Sequence, residues 1–207
     1  MKLNKTNISK LEIFLANIQS DLYPEPPTQL HNELTQRMVS YVMQNSYIRA
    51  GDKILDIGCG QGVALELFSR LGFSPVGITL GKKDLKICRE KGFEVYDMDQ
   101  SFLDFEDGQF DFIWCRHCLE HSIFPYFTLS EFFRVLKSKG ILYIEVPAPD
   151  TGCNHQANRN HYSVLGKSMW RELITRAGFH LLKIMEINFD VALGPDTYYS
   201  FIQQKPL

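Results

Sequence analysis

The stretch Lys53–Gly62, KILDIGCGQG, sets an apolar run ending in an aspartate directly before glycines at every second position. A short apolar run bounded by glycine reads as a strand buried on both faces. Stripping side chains from the following turn lets the backbone come close to a ligand, and a helix beginning near Gly62 aims its positive end at the same place. The carboxylate at the strand tip is the harder feature to place. A dinucleotide-binding loop would carry a small residue at position 63, where this chain has Val63, and Asp56 would face a pyrophosphate anion against anion. The arrangement suits a ligand that is cationic at that point.

The chain continues in kind. After KILDI come a helix (VALELFSRLG), a strand (FSPVGITL), a helix (KKDLKICREKG, with Leu85 and Cys88 inward), a strand (FEVYDMD) and a fourth strand (FDFIWCR) behind a turn at Asp107-Gly108. FPYFTLSEFFRVLKSKG reads as a long helix and ILYIEVPAP as a fifth strand stopped by Pro147 and Pro149. KSMWRELITRAG, FHLLKIMEINFD and DTYYSFIQQK read as helix, strand and strand. Strands alternating with helices of this length imply right-handed crossovers and a mostly parallel sheet covered on both faces. Ligands of such sheets sit beyond the carboxyl ends of the strands, where strand order reverses. Ahead of this unit, Leu11, Phe14, Leu15 and Ile18 fall at helical spacing, YPEPP breaks the chain, and a second helix is expected from about Thr28 to Tyr47. The division expected is a helical extension over 1–50 and a main domain over 51–207.

A formal charge of −2 offers no basic excess, so nucleic acid is not expected as the partner. The five cysteines are an odd number, several of them in apolar segments, which suits reduced thiols in a cytoplasmic protein. Cys115 and Cys118 form a CxxC, but no second pair stands at zinc-site distance, and His155 and His161 lack a carboxylate or cysteine at convincing spacing. No metal is expected. The first residues are too polar for a signal peptide, and no run is long enough to cross a bilayer.

The segment ILDIGCGQG resembles motif I of the Rossmann-like, S-adenosylmethionine-dependent methyltransferases, whose cofactor carries an ammonium and a sulfonium and no phosphate. The likeness extends through FEVYDMDQSFLDFEDGQFDFIWCRHCLEH and FRVLKSKGILYIEVP, where Ser138-Lys139 stand in place of the family's Pro-Gly. It implies a doubly wound, mostly parallel sheet of seven strands with an antiparallel last strand and helices on both faces. It also implies that Asp56, Gly58, Cys59, Gly60 and Gly62 hold the amino-acid end of S-adenosylmethionine. Met98, Asp99 and Gln100 would meet the adenine, and Cys115 and Arg116 the methionine moiety. The second strand of the family ends in an acid that grips the ribose hydroxyls; here Thr79 and Leu80 stand there, as in branches resembling cyclopropane fatty acid synthases. A hydroxyl cannot match a charged bidentate acceptor.

The resemblance implies methyl transfer to an O, N or C atom of a small polar acceptor, leaving S-adenosylhomocysteine, by a monomer or homodimer without membrane or nucleic-acid partners. A protein that binds the nucleoside without turnover and acts as an interaction module is the alternative. Motifs of the NPPY or DPPY type are absent after the fourth strand, which argues against nucleobase and glutamine acceptors. Where the acceptor must lose a proton, His117 and His161 are the candidate bases, with His121 and His155 near the same mouth. The polar segment Asp150–Ser163 is a candidate specificity loop.

Overall fold

The computed structural model of the protein describes residues 4–19 and 26–207. Two helices come first, α1 (Lys5–Gln19) and α2 (Gln29–Gln44). Part of the YPEPP break lies outside the described residues. Pro26 and Pro27 cannot continue a helix, and Thr28 starts the next one by accepting the His31 N–H at 3.1 Å. Then follow β1 (Ile54–Ile57), α3 (Val63–Arg70), β2 (Val76–Thr79), α4 (Lys82–Glu90), β3 (Glu94–Asp97) and β4 (Phe110–Arg116). The chain closes with α5 (Pro125–Val135), β5 (Leu136–Pro147), α6 (Lys167–Arg176), β6 (His180–Val191) and β7 (Gly194–Gln204). Single 3₁₀ turns cover Leu119–His121 and His155–Ala157.

These strands form one seven-stranded sheet in the order β3-β2-β1-β4-β5-β7-β6. β1 to β5 run parallel and β7 lies antiparallel between β5 and β6, as the resemblance implied. Alternation along the central strands divides the core. Ile54, Phe112, Trp114, Tyr143 and Ile202 face α2 and α3, packing with Leu34, Met38, Val42 and Phe68. Leu55, Ile57, Ile113, Leu142 and Ile144 face α5 and α6, packing with Leu129, Phe132, Leu173 and Ile174. The second helix of the extension is therefore built into the same core as the sheet.

One element differs from its sequence reading. The helix expected through Gly140 ends at Val135, and β5 begins at Leu136. Leu136 pairs with Phe110 across a register irregularity, Lys137 reaches the Asp111 carboxylate at 2.7 Å, and Lys139 takes a left-handed φ of 65°. Helical spacing in FFRVLKSK is overridden by pairing to β4, a tertiary choice that local periodicity does not carry. Among the described residues, no helix is long and apolar enough to cross a membrane.

Candidate functional site

From β1 the chain winds through β2 to β3 on one side and reaches β4 and β5 on the other, so strand order reverses between β1 and β4. A cavity of roughly 1000 Å³ opens at that switch point. Its floor is the turn after β1. Gly58 has φ 71°, and a Cβ there would lie 2.5 Å from Cys118 Sγ, so only glycine fits. Gly60 has φ 49° and nothing within 4 Å of where its Cβ would be, which leaves its backbone open to a ligand.

Asp56 is buried at the tip of β1 and lines this floor. Its Oδ2 has no hydrogen-bond partner. Burial, aided by Cys88, pushes its pKa up to about 8, against the pull of Arg116. A buried carboxyl lacking a partner atom fits a cationic ligand group and fits a phosphate badly.

Of the residues implied by the resemblance, Asp56, Gly58, Cys59, Gly60, Thr79, Leu80, Met98, Asp99, Gln100 and Arg116 line the cavity. Gly62 and Cys115 do not. Gly62 is the left-handed residue that starts α3, and a Cβ there would lie 3.1 Å from Cys88 Sγ. Cys115 points into the core between Ile113 and the helices of the other face, because strand alternation sends Trp114 and Arg116 toward the cavity and Cys115 away from it. The Asp99 carboxylate is partly engaged, accepting the Ser101 N–H at 2.7 Å. Thr79 Oγ1 accepts the Gly81 N–H at 3.3 Å. Beside it, Asp84 in the first turn of α4 is buried, lines the cavity and has an Oδ1 without a partner.

The other half of the cavity is built from charged residues. Arg116 Nε stands 2.6 Å from Glu145 Oε1, and both side chains are almost wholly buried. Arg116 Nη1 donates to Thr35 Oγ1 at 3.0 Å and meets the His31 ring at 3.1 Å, which ties α2 to the end of β4. His117, with a left-handed φ of 50°, sets Nε2 at 3.2 Å from Glu145 and Nδ1 at 3.5 Å from Glu120. Burial and Arg116 push the His117 pKa down, but the two carboxylates outweigh them and the net shift is upward. Glu145 is penalised by burial yet held down at about 2 by Arg116, His117 and the Tyr143 hydroxyl. His31 goes the other way, lowered to about 3 by burial, Arg116 and His117.

His161 stands across the cavity on the polar segment after β5. Its Nδ1 lies 3.0 Å from the His155 carbonyl, a contact that requires N–H at that position and leaves the lone pair on Nε2, where the Asn158 amide Nδ2 donates to it at 3.3 Å. Burial lowers its pKa, so the neutral ring is favoured. Its ring meets that of His121 at 4.7 Å. The two histidines singled out from sequence are thus unlike each other: two carboxylates favour the protonated form of His117, and burial favours the neutral ring of His161, whose Nε2 meets the Asn158 amide.

Sequence reading missed Glu145, Asp84, His31 and Thr35. Glu145 carried a signal, since a carboxylate inside the apolar run ILYIEVP is as costly as Asp56 inside KILDI. Asp84 looks like any acid in the first turn of a helix, and nothing in the sequence ties His31 to a residue 85 positions away.

A family described as "Methyltransferase domain" matches residues 30–184. The ubiquinone biosynthesis O-methyltransferase of Actinobacillus pleuropneumoniae is 28% identical over 152 residues, which cover 68% of this chain and 64% of that protein. The same-named protein of Thiobacillus denitrificans is 28% identical over 66% of this chain and 60% of its own length. The chain thus spans somewhat under two thirds of these curated relatives. In fold it is similar to the SAM-dependent methyltransferase of Archaeoglobus fulgidus, with a TM-score of 0.72, 21% identity, and coverage of 84% of this chain and 94% of that one.

Proposed function

Because this chain belongs to the methyltransferase-domain family, we propose that it transfers a methyl group from S-adenosylmethionine to an oxygen of a small hydroxylated molecule. The observation that carries the cofactor half is the buried, unpartnered carboxyl oxygen of Asp56 over an open glycine turn, a fit for an ammonium group. Oxygen as the acceptor atom is supported by the name of the relatives and by the His161 lone pair in the cavity wall. When bound, the cofactor supplies an electrophilic methyl carbon on a sulfonium.

The chain's own residues then have distinct tasks. Asp56 and the backbone around Gly58 and Gly60 hold the amino-acid end of the cofactor. Asp84 and Thr79 take the ribose hydroxyls, the free Oδ1 of Asp84 replacing the strand-end acid that this sequence lacks. Met98, Asp99 and Gln100 border the adenine. Arg116, fixed by Glu145, Thr35 and His31, forms a rigid wall at the reacting end. His161 Nε2 exchanges its contact with the Asn158 amide for the acceptor hydroxyl and takes its proton, and Glu120 and Glu145 favour the protonated form of His117. Positioning two reactants against such a wall is worth roughly 7–11 kcal/mol of the barrier. Five free cysteines are consistent with a reducing, cytoplasmic setting for this reaction.

The test is calorimetric titration with S-adenosylhomocysteine, with NAD as comparison, followed by a screen of hydroxylated aromatics and hydroxy acids with labelled S-adenosylmethionine. Micromolar S-adenosylhomocysteine binding that is lost in Asp56→Ala, no heat with NAD, and label in an ether or ester product are expected. A response to NAD alone would overturn the reading.

A further inference from the structure

The segment after β5 holds a cluster that methyl transfer leaves unused. Cys153 and His155 stand two positions apart in TGCNH, and the start of β7 brings them Asp196, 41 residues beyond His155. Sequence spacing alone offered no carboxylate or thiol partner for a histidine here; the fold supplies both. One donor atom from each of the three residues lies within 4.8 Å of the other two. His155 Nε2 is 3.0 Å from Asp196 Oδ2, and Asp196 is almost wholly buried.

The cluster is held by backbone packed on backbone. The Gly152 N–H donates to the Pro195 carbonyl at 2.9 Å, and a Cβ at position 152 would lie 2.7 Å from the Leu193 carbonyl oxygen. The residue before Cys153 must be glycine for the turn to press this closely on the β6–β7 hairpin. Asp196 is oriented in turn by the Thr197 N–H at 2.8 Å. The three donors are therefore preorganised from two separate parts of the chain.

We propose that Cys153, His155 and Asp196 form a binding site for a divalent ion of the zinc type, with water completing the coordination, and that the ion clips the segment Asp150–Ser163 to β7. Thiolate, imidazole and carboxylate are all zinc ligands, whereas the sulfur and nitrogen disfavour magnesium and calcium, which take oxygen. Bonds of about 2.0–2.3 Å around a tetrahedral ion put donor atoms roughly 3.2–3.7 Å apart, close to the His155–Asp196 separation already present. On binding, Cys153 releases its thiol proton to solvent. The Nε2–H that His155 donates to the Asp196 carboxylate in the ion-free protein moves through solvent to Nδ1, and the freed Nε2 lone pair goes to the ion. Asp196 exchanges its contacts with Cys153 and His155 for the ion. The clip fixes the wall that carries Asn158, Asn160 and His161, since the His155 carbonyl holds His161 Nδ1 at 3.0 Å.

The experiment is titration of the full chain, stripped with chelator, by Co²⁺ alone. One equivalent is expected to give a thiolate-to-cobalt charge-transfer band in the near ultraviolet with tetrahedral visible bands, both displaced by Zn²⁺. Cys153→Ser should abolish the ultraviolet band, and Asp196→Asn should weaken binding at least about tenfold, since a loss of 1.4 kcal/mol is already tenfold. Zinc at a hundredfold excess over its Kd should raise the Tm of the native chain and leave Cys153→Ser unmoved. If Cys153→Ser does not fold, His155→Gln serves in its place. No band, a band that survives in Cys153→Ser, unchanged affinity in Asp196→Asn, or cobalt bound without any sulfur signal would each overturn the proposal. The last outcome would put the ion at the second donor cluster, Glu120, His121 and His161.

Discussion

Cofactor binding should drive a proton out of this protein, and the proton should come from Asp56. In the free protein its carboxyl has a pKa of about 8, set by burial and Cys88 and opposed by Arg116. At pH 7 such a group is about 90% protonated, at pH 8 about half, and at pH 9 about 10%. An ammonium seated on it requires the carboxylate, so S-adenosylhomocysteine should release about 0.9 proton per site at pH 7 and about 0.1 at pH 9. Affinity should rise about tenfold over the same interval, following the ionised fraction from about 0.09 to about 0.9. The assay is isothermal calorimetry in buffers of contrasting ionisation enthalpy, such as phosphate and Tris, at each pH. Asp56→Asn is the control, because any proton from the ligand's own ammonium persists in that variant. A buffer dependence that is equal in wild type and variant, or absent from both, refutes the assignment of Asp56 as the cation holder.

The same burial has a stability cost that pH should expose. A carboxyl whose pKa is raised from 3.8 binds its proton more tightly folded than unfolded, so the ligand-free protein loses stability as pH climbs toward 8. His117, also raised, stabilises fully below its ordinary 6.5 and progressively less as pH passes through its folded value. Glu145, lowered from 4.5 to about 2, adds stability above 4.5 that disappears as pH falls to about 2. Urea unfolding should therefore show greatest stability near pH 4, where the Glu145 contribution is nearly complete and the Asp56 loss has only begun, with a decline toward pH 8 that flattens in Asp56→Asn; a flat wild-type profile would contradict this. Asp84→Asn should weaken S-adenosylhomocysteine binding about 10- to 100-fold at unchanged Tm, the loss of a charge-assisted hydrogen bond of roughly 1.5–3 kcal/mol; unchanged affinity would remove Asp84 from the ribose site. Arg116→Leu should cost about 3–5 kcal/mol of stability in denaturant unfolding, because it strands the buried Glu145 without its closest cation. His161→Gln should lower kcat with little change in S-adenosylhomocysteine affinity, and equal loss of both would point to a structural role.

The sheet was legible because its strands are apolar runs and its helices end at glycine, local signals that agree with the final topology. The glycine turn and Asp56 were legible for a related reason: a buried strand tip rarely tolerates a carboxylate without a task. The end of the fifth helix was not legible, since FFRVLKSK keeps helical spacing past Val135 while cross-strand pairing to Phe110 decides the outcome. The acceptor wall was only half legible. His117 and His161 stood out as residue types, but the neighbours that make one a proton holder and the other a lone-pair donor come from β5, the 3₁₀ turn after β4 and a backbone carbonyl. Cys153 and His155 looked like an incomplete set because Asp196 joins them only when the β6–β7 hairpin folds back.

Asp56 and Glu145 show why neighbours matter more than burial. Both are carboxylates sunk into central strands on either side of β4, and register sets Asp56 opposite Trp114 and Glu145 opposite Arg116. Burial penalises the charge on each. Glu145 has a guanidinium at 2.6 Å, an imidazole at 3.2 Å and the Tyr143 hydroxyl, so its charge is spent inside the protein and its pKa falls to about 2. Among the described residues Asp56 has no cation in contact; its pKa is raised to about 8, with one oxygen still unpartnered. A fold that could neutralise one buried acid internally leaves the other unneutralised at the mouth of a cavity. That difference, and not the mere presence of an acid, is the ground on which Asp56 is proposed as the group that takes a cation from outside the chain.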